Sequence, residues 1–390
     1  MDGVRGLWTL DPAVTFLNHG SFGACPAQVQ AVAAGIRARI EREPVRFFLG
    51  ELEALFDEAR AAVAVLLGAE ADDLAFVPNA TAGVNTVVRS LDLSPGDELL
   101  TTDHAYNACR NALEHVATRA GARVTVAEIP FPITGPDAVV EAILARVTTR
   151  TRLALIDQIT SPTALIFPVA RLVAELEARG VDTLVDAAHT AGMLPMALDA
   201  IGAAYTTGNF HKWVCAPKGA GFLHVRRDRQ AGIRPLSISH GANSPRRDRS
   251  RFRLEFDWTG TADPTPFLCV PEALRFLASL GSLPELMRRN HAAAVDARRA
   301  LCATLRITAP CPDEMIGSMA SVPLPLIAAE RSEGPFDPLQ EALFTRFGIE
   351  VPIFPFPAPP HRVLRVSTPP YVTPADVARL AAALVALGVA

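Results

Sequence analysis

The sequence predicts an α/β fold with a mostly parallel sheet, followed by a smaller α+β region. Short apolar segments alternate with helical patterns between about residues 70 and 225, which is the order expected of a sheet wrapped by helices. From about residue 284 the chain instead reads as helix, short strands and helix. The 390 residues, of which 49% are apolar, provide enough interior for two domains.

Each predicted strand of the first region is a short apolar run that ends in small or polar residues. These runs lie at 74–77, 98–102, 123–129, 152–157, 181–186 and 223–225. Helical patterns cover 27–67, with a break near Pro44, then 169–179 and 266–280. Because ligands of open α/β sheets bind at the carboxyl ends of the strands, the polar residues after these runs are candidate site residues.

Composition and charge narrow the classes of function. The net charge of −4 gives no sign of a nucleic-acid-binding surface. No run of about 18 uncharged apolar residues occurs and no signal-peptide core is evident, so we expect no membrane span and a cytoplasmic location. The six cysteines are scattered, which predicts free thiols rather than disulfides and argues against a metal site.

Lysine is rare in this chain, and Lys212 lies in its most informative segment. Of 37 Lys and Arg residues only Lys212 and Lys218 are lysines. An amine can lose its proton and form a Schiff base with a carbonyl, whereas a guanidinium stays charged. Lys212 lies in an uncharged turn bounded by glycines, which favours this chemical role; Lys218 is equally well explained as a surface lysine.

Two further charged residues lie among apolar neighbours. Asp186 ends an apolar strand, where an unpaired anion is costly, so it needs a cationic or strongly donating partner. Capping of the next helix is the alternative role for Asp186. Arg365 lies in an apolar strand near the C-terminus, where it would bind either a substrate carboxylate or an internal carboxylate.

Two turns rich in small residues are candidate ligand loops. The segment around Asn18 and His19 contains glycines and a proline that suit a close approach to a ligand, although it also suits a turn into the first helix. The turn at 78–85 follows a strand and begins a helix, so its backbone amides could bind an anion or could form an ordinary helix cap. It matches neither a Walker A nor a dinucleotide-binding glycine motif.

The segments Asn209-x-His211-Lys212-Trp213 and Lys218-Gly219-Ala220-Gly221 together resemble the lysine motif of class V aminotransferase-fold enzymes, and most of all the isopenicillin N epimerase-like branch. The resemblance covers nearly the whole chain. It implies fold type I, in which the large domain has a mostly parallel seven-stranded-type sheet, with pyridoxal 5'-phosphate (PLP) as the cofactor. It also implies a large PLP-binding domain over 20–262 and a small α+β domain over 263–390, with 1–19 packed on the latter.

The resemblance implies a role for each candidate residue. Asp186 would bind the pyridine nitrogen, and either Tyr106 or, as in the related desulfurases, His104 would stack on the ring. Thr261, in the turn 259–261, would reach the phosphate of a partner subunit and make the protein a homodimer with composite sites. The implied cofactor-binding residues are Ala80, Thr81, Ala82, Tyr106, Ser161, Asp186, His189, Asn209, His211, Lys212 and Thr261; the implied substrate-binding residues are Asn18, His19 and Arg365.

The resemblance further implies a reaction at Cα of an amino-acid or peptide-like substrate, with Lys212 as the base. Epimerisation requires a second acid, for which Tyr106 and His104 are the candidates. A PLP-dependent C–S lyase and an aminotransferase are the alternatives on the same fold. Desulfurization through a loop cysteine is disfavoured, because 349–357 contains no cysteine. A regulator that merely binds PLP is also disfavoured, since no length remains for a DNA-binding module.

Overall fold

The computed structural model describes residues 3–326 and 335–390. Within these ranges the chain forms a large mixed sheet, a small antiparallel sheet and a two-stranded ladder. The strands are β1 (Thr15–Phe16), β2 (Leu74–Val77), β3 (Glu98–Thr102), β4 (Arg123–Ala127), β5 (Thr151–Asp157), β6 (Asp182–Ala187), β7 (Tyr205–Asn209), β8 (Gly221–Val225), β9 (Met319–Pro323), β10 (Ile349–Glu350), β11 (Ile353–Pro355) and β12 (Arg362–Ser367).

The large sheet has seven strands among the described residues, in the order β2-β8-β7-β6-β5-β3-β4. Its neighbours from β7 to β4 pair in parallel, whereas β8 runs antiparallel to both β7 and β2. Strands β3, β7 and β8 are buried along their whole length, as expected of strands covered on both faces. The predicted α/β fold with a mostly parallel seven-stranded sheet is confirmed.

The parallel strands position the candidate site. Strands β3, β5, β6 and β7 all end at the same edge of the sheet, at Thr102, Asp157, Ala187 and Asn209. Asp157 and Asp186 are paired in register across β5 and β6. Residues that are distant in sequence therefore meet at this carboxyl edge, where ligands of open α/β sheets bind.

Helices cover the sheet and form much of the C-terminal region. Pro44 is the first residue of α3, which runs on through a π-helical turn at Phe47–Glu51 into α4, so the predicted break in the first long helix is confirmed. The α-helices are α1 (His19–Phe22), α2 (Ala27–Arg42), α3 (Pro44–Arg46), α4 (Leu52–Leu67), α5 (Ala80–Ser90), α6 (Asn107–Ala120), α7 (Pro136–Leu144), α8 (Val169–Glu177), α9 (Leu198–Ile201), α10 (Arg251–Phe256), α11 (Thr265–Leu268), α12 (Val270–Ser279), α13 (Leu283–Leu305), α14 (Pro338–Phe347) and α15 (Pro374–Ala386).

The C-terminal region has the predicted α+β order. Strands β11, β12 and β9 form an antiparallel sheet, and α13 and α15 pack beside it. Near the N-terminus, β1 pairs in parallel with β10, so that Thr15 lies opposite Ile349. No single helix of the described ranges is long and apolar enough to cross a membrane; the pair 265–279 and 283–305, bent by 70°, meets the criteria of length and composition only when taken together.

Most of the arginine-rich segment 226–253 is exposed, as expected of a run of arginines, but Arg253 is an exception. Arg253 is buried, and its guanidinium contacts Asp57 at 2.5 Å and Asp72 at 2.7 Å. Arg249 pairs with Asp57 as well, and Arg246 pairs with Glu53. These ion pairs attach the segment to α4 and to the turn before β2, which is a structural role that charge density alone does not predict.

Candidate active site

A cavity at the carboxyl edge of the parallel strands contains most of the predicted site residues. Its volume is about 600 Å³, which is within the range of small-molecule sites. Phe22, on α1, and Phe354, on β11, also lie in its wall. The predicted residues that line it are Ala80, Thr81, Tyr106, Ser161, Asp186, His189, Asn209, His211 and Lys212.

The backbone that carries Lys212 passes between two glycines. Gly23 has φ +68°, and a Cβ built on it would lie 1.9 Å from the carbonyl oxygen of His211. Gly192 has φ +87°, and its Cβ would lie 2.6 Å from the carbonyl carbon of Trp213. Both positions therefore require glycine, for conformation and for space. The close approach of Gly23 and Gly192 on either side fixes the path of residues 211–214, which we call the lysine loop.

The amine of Lys212 is buried in the cavity wall and lies 3.3 Å from Nε2 of His189. Burial, and then the positive charge of Arg365, lower the pKa of Lys212 from 10.5 to about 7. A large fraction of the amine is therefore uncharged near neutral pH. That is the state in which an amine attacks a carbonyl or accepts a proton.

Asp186 is held rigidly at the end of β6 and is only 3% exposed. Its Oδ1 accepts a hydrogen bond from the Ala188 backbone N–H at 2.9 Å, and its Oδ2 accepts one from the Cys109 thiol at 3.3 Å. Burial raises the pKa of the Asp186 carboxyl. A protonated pyridine nitrogen is the kind of partner that would stabilise this buried carboxylate.

His189 supplies a direct indication that the cavity receives a polar ligand. Its Nδ1 is buried and has no hydrogen-bond partner within the described residues. Burial holds the pKa of His189 well below 6.5, so the ring is neutral. An orphaned ring nitrogen, the Asp186 carboxylate and the Lys212 amine line one cavity. This set fits PLP, which offers an aldehyde, a ring nitrogen and further polar atoms.

At the start of α5 the structure agrees with the predicted anion-binding turn only in part. Ala80 and Thr81 line the cavity, but the Ala80 amide donates to Oδ1 of Asn209 at 2.8 Å. Ala82 is not among the lining residues, because its amide is capped by Oδ1 of Asn79 at 2.9 Å. The helix cap that the sequence left open as an alternative is therefore present, and the Ala82 amide is not free for a phosphate.

Arg365 lies just behind the cavity wall, on β12, and is 1% exposed. It donates to the Ser161 carbonyl oxygen at 2.6 Å and to the Ser21 hydroxyl at 3.0 Å, and its guanidinium carbon lies 4.9 Å from the centre of the Phe354 ring. In residues 3–326 and 335–390 it has no carboxylate within 4.0 Å. Its charge therefore remains available to a carboxylate that enters the cavity.

Two predicted histidines lie outside the cavity lining, because protein partners occupy their ring nitrogens. His104 is fully buried and uses its two ring nitrogens on the Thr163 hydroxyl (2.7 Å) and the Ile129 carbonyl (2.9 Å). The structure therefore brings Tyr106 and not His104 to the cavity. His19 contacts the Tyr371 hydroxyl at 2.8 Å and the Lys212 carbonyl oxygen at 2.9 Å, so it supports the lysine loop from behind.

Asn18 and Thr261, which were predicted to bind the substrate and the cofactor, also do not line the cavity. Asn18 donates to Glu350 at 3.0 Å and accepts from the Ser21 hydroxyl at 2.5 Å, which links it to Arg365 through Ser21. Thr261 is exposed in the loop before α11 and does not line the cavity of its own chain. Exposure is compatible with a contact to a partner subunit, which stays a prediction.

Two ionisable residues of the cavity lining, Asp157 and Lys218, were not predicted as part of the site. Asp157 ends β5 just as Asp186 ends β6, and the apolar run before it was the signal that could have identified it. Lys218 lines the cavity too, and its amine donates to the Gly23 carbonyl oxygen at 3.2 Å. Both lysines of the chain therefore lie at one site, so the scarcity of lysine was informative for Lys218 as well.

Comparison with known proteins agrees with this geometry. The sequence profile of the family described as Aminotransferase class-V matches residues 36–380. The chain is 37% identical over 400 residues to the isopenicillin N epimerase of Streptomyces clavuligerus, covering 98% of this chain and 97% of the relative. It is 31% identical to a probable chloroplastic L-cysteine desulfhydrase of Arabidopsis thaliana, covering 95% of this chain and 82% of the relative.

Solved structures show the same fold. The structure of a variant of the cystine C–S lyase C-DES, with glycine covalently linked to its PLP cofactor, superposes with a TM-score of 0.82. The match covers 97% of this chain and 98% of that one, at 19% sequence identity. Together with the family match over most of the chain, these features show that the protein belongs to the class-V aminotransferase family of PLP-dependent enzymes.

Proposed function

We propose that the enzyme inverts the configuration at Cα of an amino-acid or peptide-like substrate, as an epimerase. The observation that carries this proposal is that two groups able to transfer protons, the Lys212 amine and the Tyr106 phenol, line one cavity. The relative named isopenicillin N epimerase, similar over nearly the whole chain, supports the same reaction. A single base can exchange a proton on one face, but inversion needs a second group.

Arg365 orients the substrate in this proposal. Its buried guanidinium reaches the cavity wall beside Ser21 and Ser161, and no carboxylate of the described ranges neutralises it. An α-carboxylate that enters there gains a charge-assisted, bidentate interaction with a group that is already desolvated. Its placement leaves the Cα–H bond within the space bounded by Lys212 and Tyr106.

Proton transfer then divides between the two groups. PLP, when bound, withdraws the electron pair that remains at Cα after the proton has left. Lys212, with a pKa near 7, accepts that proton as a neutral amine. The Tyr106 phenol supplies a proton on the other face, so that one proton is removed and one is delivered. The same groups acting in the reverse order interconvert the two enantiomers.

The test is incubation of purified holoenzyme with a panel of single-enantiomer amino acids in D₂O. We expect at least one substrate to become a D/L mixture that carries deuterium at Cα, without stoichiometric keto acid. Chiral chromatography with mass spectrometry measures both quantities. A keto acid formed in proportion to consumed substrate would instead identify an aminotransferase.

A C–S lyase is the second candidate, supported by the similarity to the L-cysteine desulfhydrase of Arabidopsis thaliana. It would use Lys212 in the same first step and then expel a sulfur substituent from Cβ. All six cysteines of the chain are buried, and none lines the cavity, so a cysteine persulfide pathway has no nucleophile there. Pyruvate, ammonia and a released thiol in the same assay would favour the lyase over the epimerase.

We further propose that the enzyme is a homodimer with composite sites. Residues 259–261 form an exposed turn that is not part of the active-site cavity lining of their own chain, although Thr261 was predicted to bind a phosphate. A threonine hydroxyl and turn amides from a partner would complete the phosphate end of the site. Sedimentation analysis of the holoenzyme tests the dimer directly.

A further inference from the structure

Asp157 and Asp186 form a pair of buried carboxyl groups in the wall of the active-site cavity. They are paired in register at the ends of β5 and β6, and their exposed fractions are 4% and 3%. Paired residues of neighbouring parallel strands project to the same face of the sheet. Both side chains line the same cavity. Two carboxyl groups therefore share one poorly solvated region.

The surroundings of the two carboxyls are unequal. Asp186 accepts hydrogen bonds from the Ala188 backbone N–H and from the Cys109 thiol, both of which stabilise its charged form. Asp157 forms no ion pair with any Lys or Arg of the described ranges. Burial, and then the negative charge of Asp186, raise the pKa of Asp157 well above its usual value. The backbone N–H groups of Tyr106 and Asp157, and the Lys212 amine, oppose this shift but do not outweigh it.

Two carboxylates at close range in a medium of low dielectric constant do not both ionise. The member with the better hydrogen bonds to its charged form retains the charge, and here that member is Asp186, which accepts from the Ala188 N–H and the Cys109 thiol. We propose that Asp157 is a positioning residue that remains a neutral carboxylic acid in the working enzyme, so that the pair carries one negative charge and this charge stays on Asp186.

The number of negative charges on this carboxyl pair affects the pKa of Lys212. A carboxylate in the cavity favours the protonated lysine; Asp186 has this effect, and Asp157 would have it only if it were charged. A second full negative charge would therefore oppose the burial that lowers the pKa of Lys212 towards 7. Neutral Asp157 keeps the amine reactive and leaves Asp186 as the single anion for a cofactor cation. The inference applies to any reaction at this site, so it does not depend on the choice between epimerase and lyase.

Infrared spectroscopy of the holoenzyme at neutral pH measures the protonation state directly. Among the described carboxyl groups, Asp157 and Asp186 are those whose pKa is raised. We therefore expect wild-type enzyme to show the C=O stretching band of a protonated carboxylic acid, and Asp157→Asn to lack it. Absence of that band from wild-type enzyme would overturn the proposal, and so would a band that survives in Asp157→Asn. Absence of the band from wild-type enzyme overturns the proposal even when the variant does not fold.

A second readout is the midpoint at which the visible absorbance of the bound cofactor changes with pH. Asp157→Asn replaces one neutral group by another, so its midpoint should lie within about half a pH unit of wild type, whereas removal of a neighbouring charge typically moves a pKa by about 1–3 units. Asp186→Asn, which removes the charge, is the positive control and should produce a shift of that larger size. A fall of a unit or more in Asp157→Asn would show that Asp157 is ionised, contrary to the proposal.

Discussion

Nζ of Lys212 lies 3.3 Å from Nε2 of His189, inside a cavity where burial disfavours the charged form of both groups. His189 is neutral and can accept a hydrogen bond from the amine. Lys212 titrates near pH 7 and not near its usual 10.5. This relationship makes Lys212 both a nucleophile and a base, and the predictions below depend on it.

Borohydride reduction should attach PLP covalently to Lys212. Peptide mapping by mass spectrometry would locate the modification, and Lys218, which lines the same cavity, is the natural internal control. Lys212→Ala should lose turnover by at least the factor of about 10²–10⁴ that a general base contributes. Lys218→Ala should retain the label at Lys212. Label on Lys218 would refute the assignment.

The rate at which apoenzyme recovers PLP should depend on pH with a midpoint near 7. Below this pH the Lys212 amine is protonated and cannot attack the aldehyde; above it the amine is free, so the rate should rise with pH and then level off. Stopped-flow absorbance measures the rate. Arg365→Gln removes a positive charge that lowers the pKa of Lys212, so its midpoint should be higher. A midpoint near 10 in the wild-type enzyme would contradict the buried, perturbed lysine.

His19 should make the folded protein sensitive to acid. Burial lowers the pKa of His19 from 6.5 to about 4, so between these pH values the unfolded chain binds a proton that the folded chain does not. Stability is therefore lost as the pH falls through this window, by roughly 3 kcal/mol for a shift of this size. Urea unfolding at several pH values, for wild type and His19→Gln, measures the difference.

In that comparison His19→Gln should lose less free energy of unfolding on acidification than wild type does. His240→Gln, at an exposed position of the same chain, is the matched control for removal of a histidine. Parallel pH profiles for wild type and His19→Gln would show that His19 is already charged in the folded protein.

Composite sites predict complementation between two inactive variants. Lys212→Ala removes the base, and Thr261→Arg would block the phosphate end of the partner's site. A heterodimer of the two variants contains one site with neither change, so co-refolded mixtures should regain activity, up to about half per heterodimer. Mixtures without any rescue would place Thr261 at its own subunit's site or outside the site.

Local sequence was sufficient to predict most strands of the large sheet and the two charged site residues Asp186 and Lys212. An apolar run that ends in Asp186 is costly without a ligand, and a lone lysine in an arginine-rich chain has a chemical meaning. The family match then extended these points to the whole chain. Six of the seven described strands of the large sheet, the carboxyl-edge cavity and the grouping of Lys212, Asp186 and His189 all followed, whereas β7 was not among the predicted strands.

The features that the sequence did not predict depend on contacts between segments that are distant in the chain. The orientation of His104 is set by Thr163 and Ile129, which approach it only in the folded chain. Asp157 becomes part of the site because β5 pairs with β6 in a particular register. The burial of Arg253 requires carboxylates from α4 and from the turn before β2. No local pattern encodes such pairings, so the sequence alone could not predict them; for Asp157 the local apolar run indicated a strand end but not the partner strand.

The most direct test of the proposed epimerase is the Tyr106→Phe variant, assayed with one enantiomer in D₂O. Inversion needs the phenol, whereas Lys212 alone can remove and return a proton on its own face. Inversion should therefore fall by about 10²–10⁴-fold, the usual contribution of a general acid, while exchange of the Cα proton with retention continues. Equal losses of inversion and exchange, or inversion that persists at the wild-type rate, would contradict the proposed division of roles between Lys212 and Tyr106.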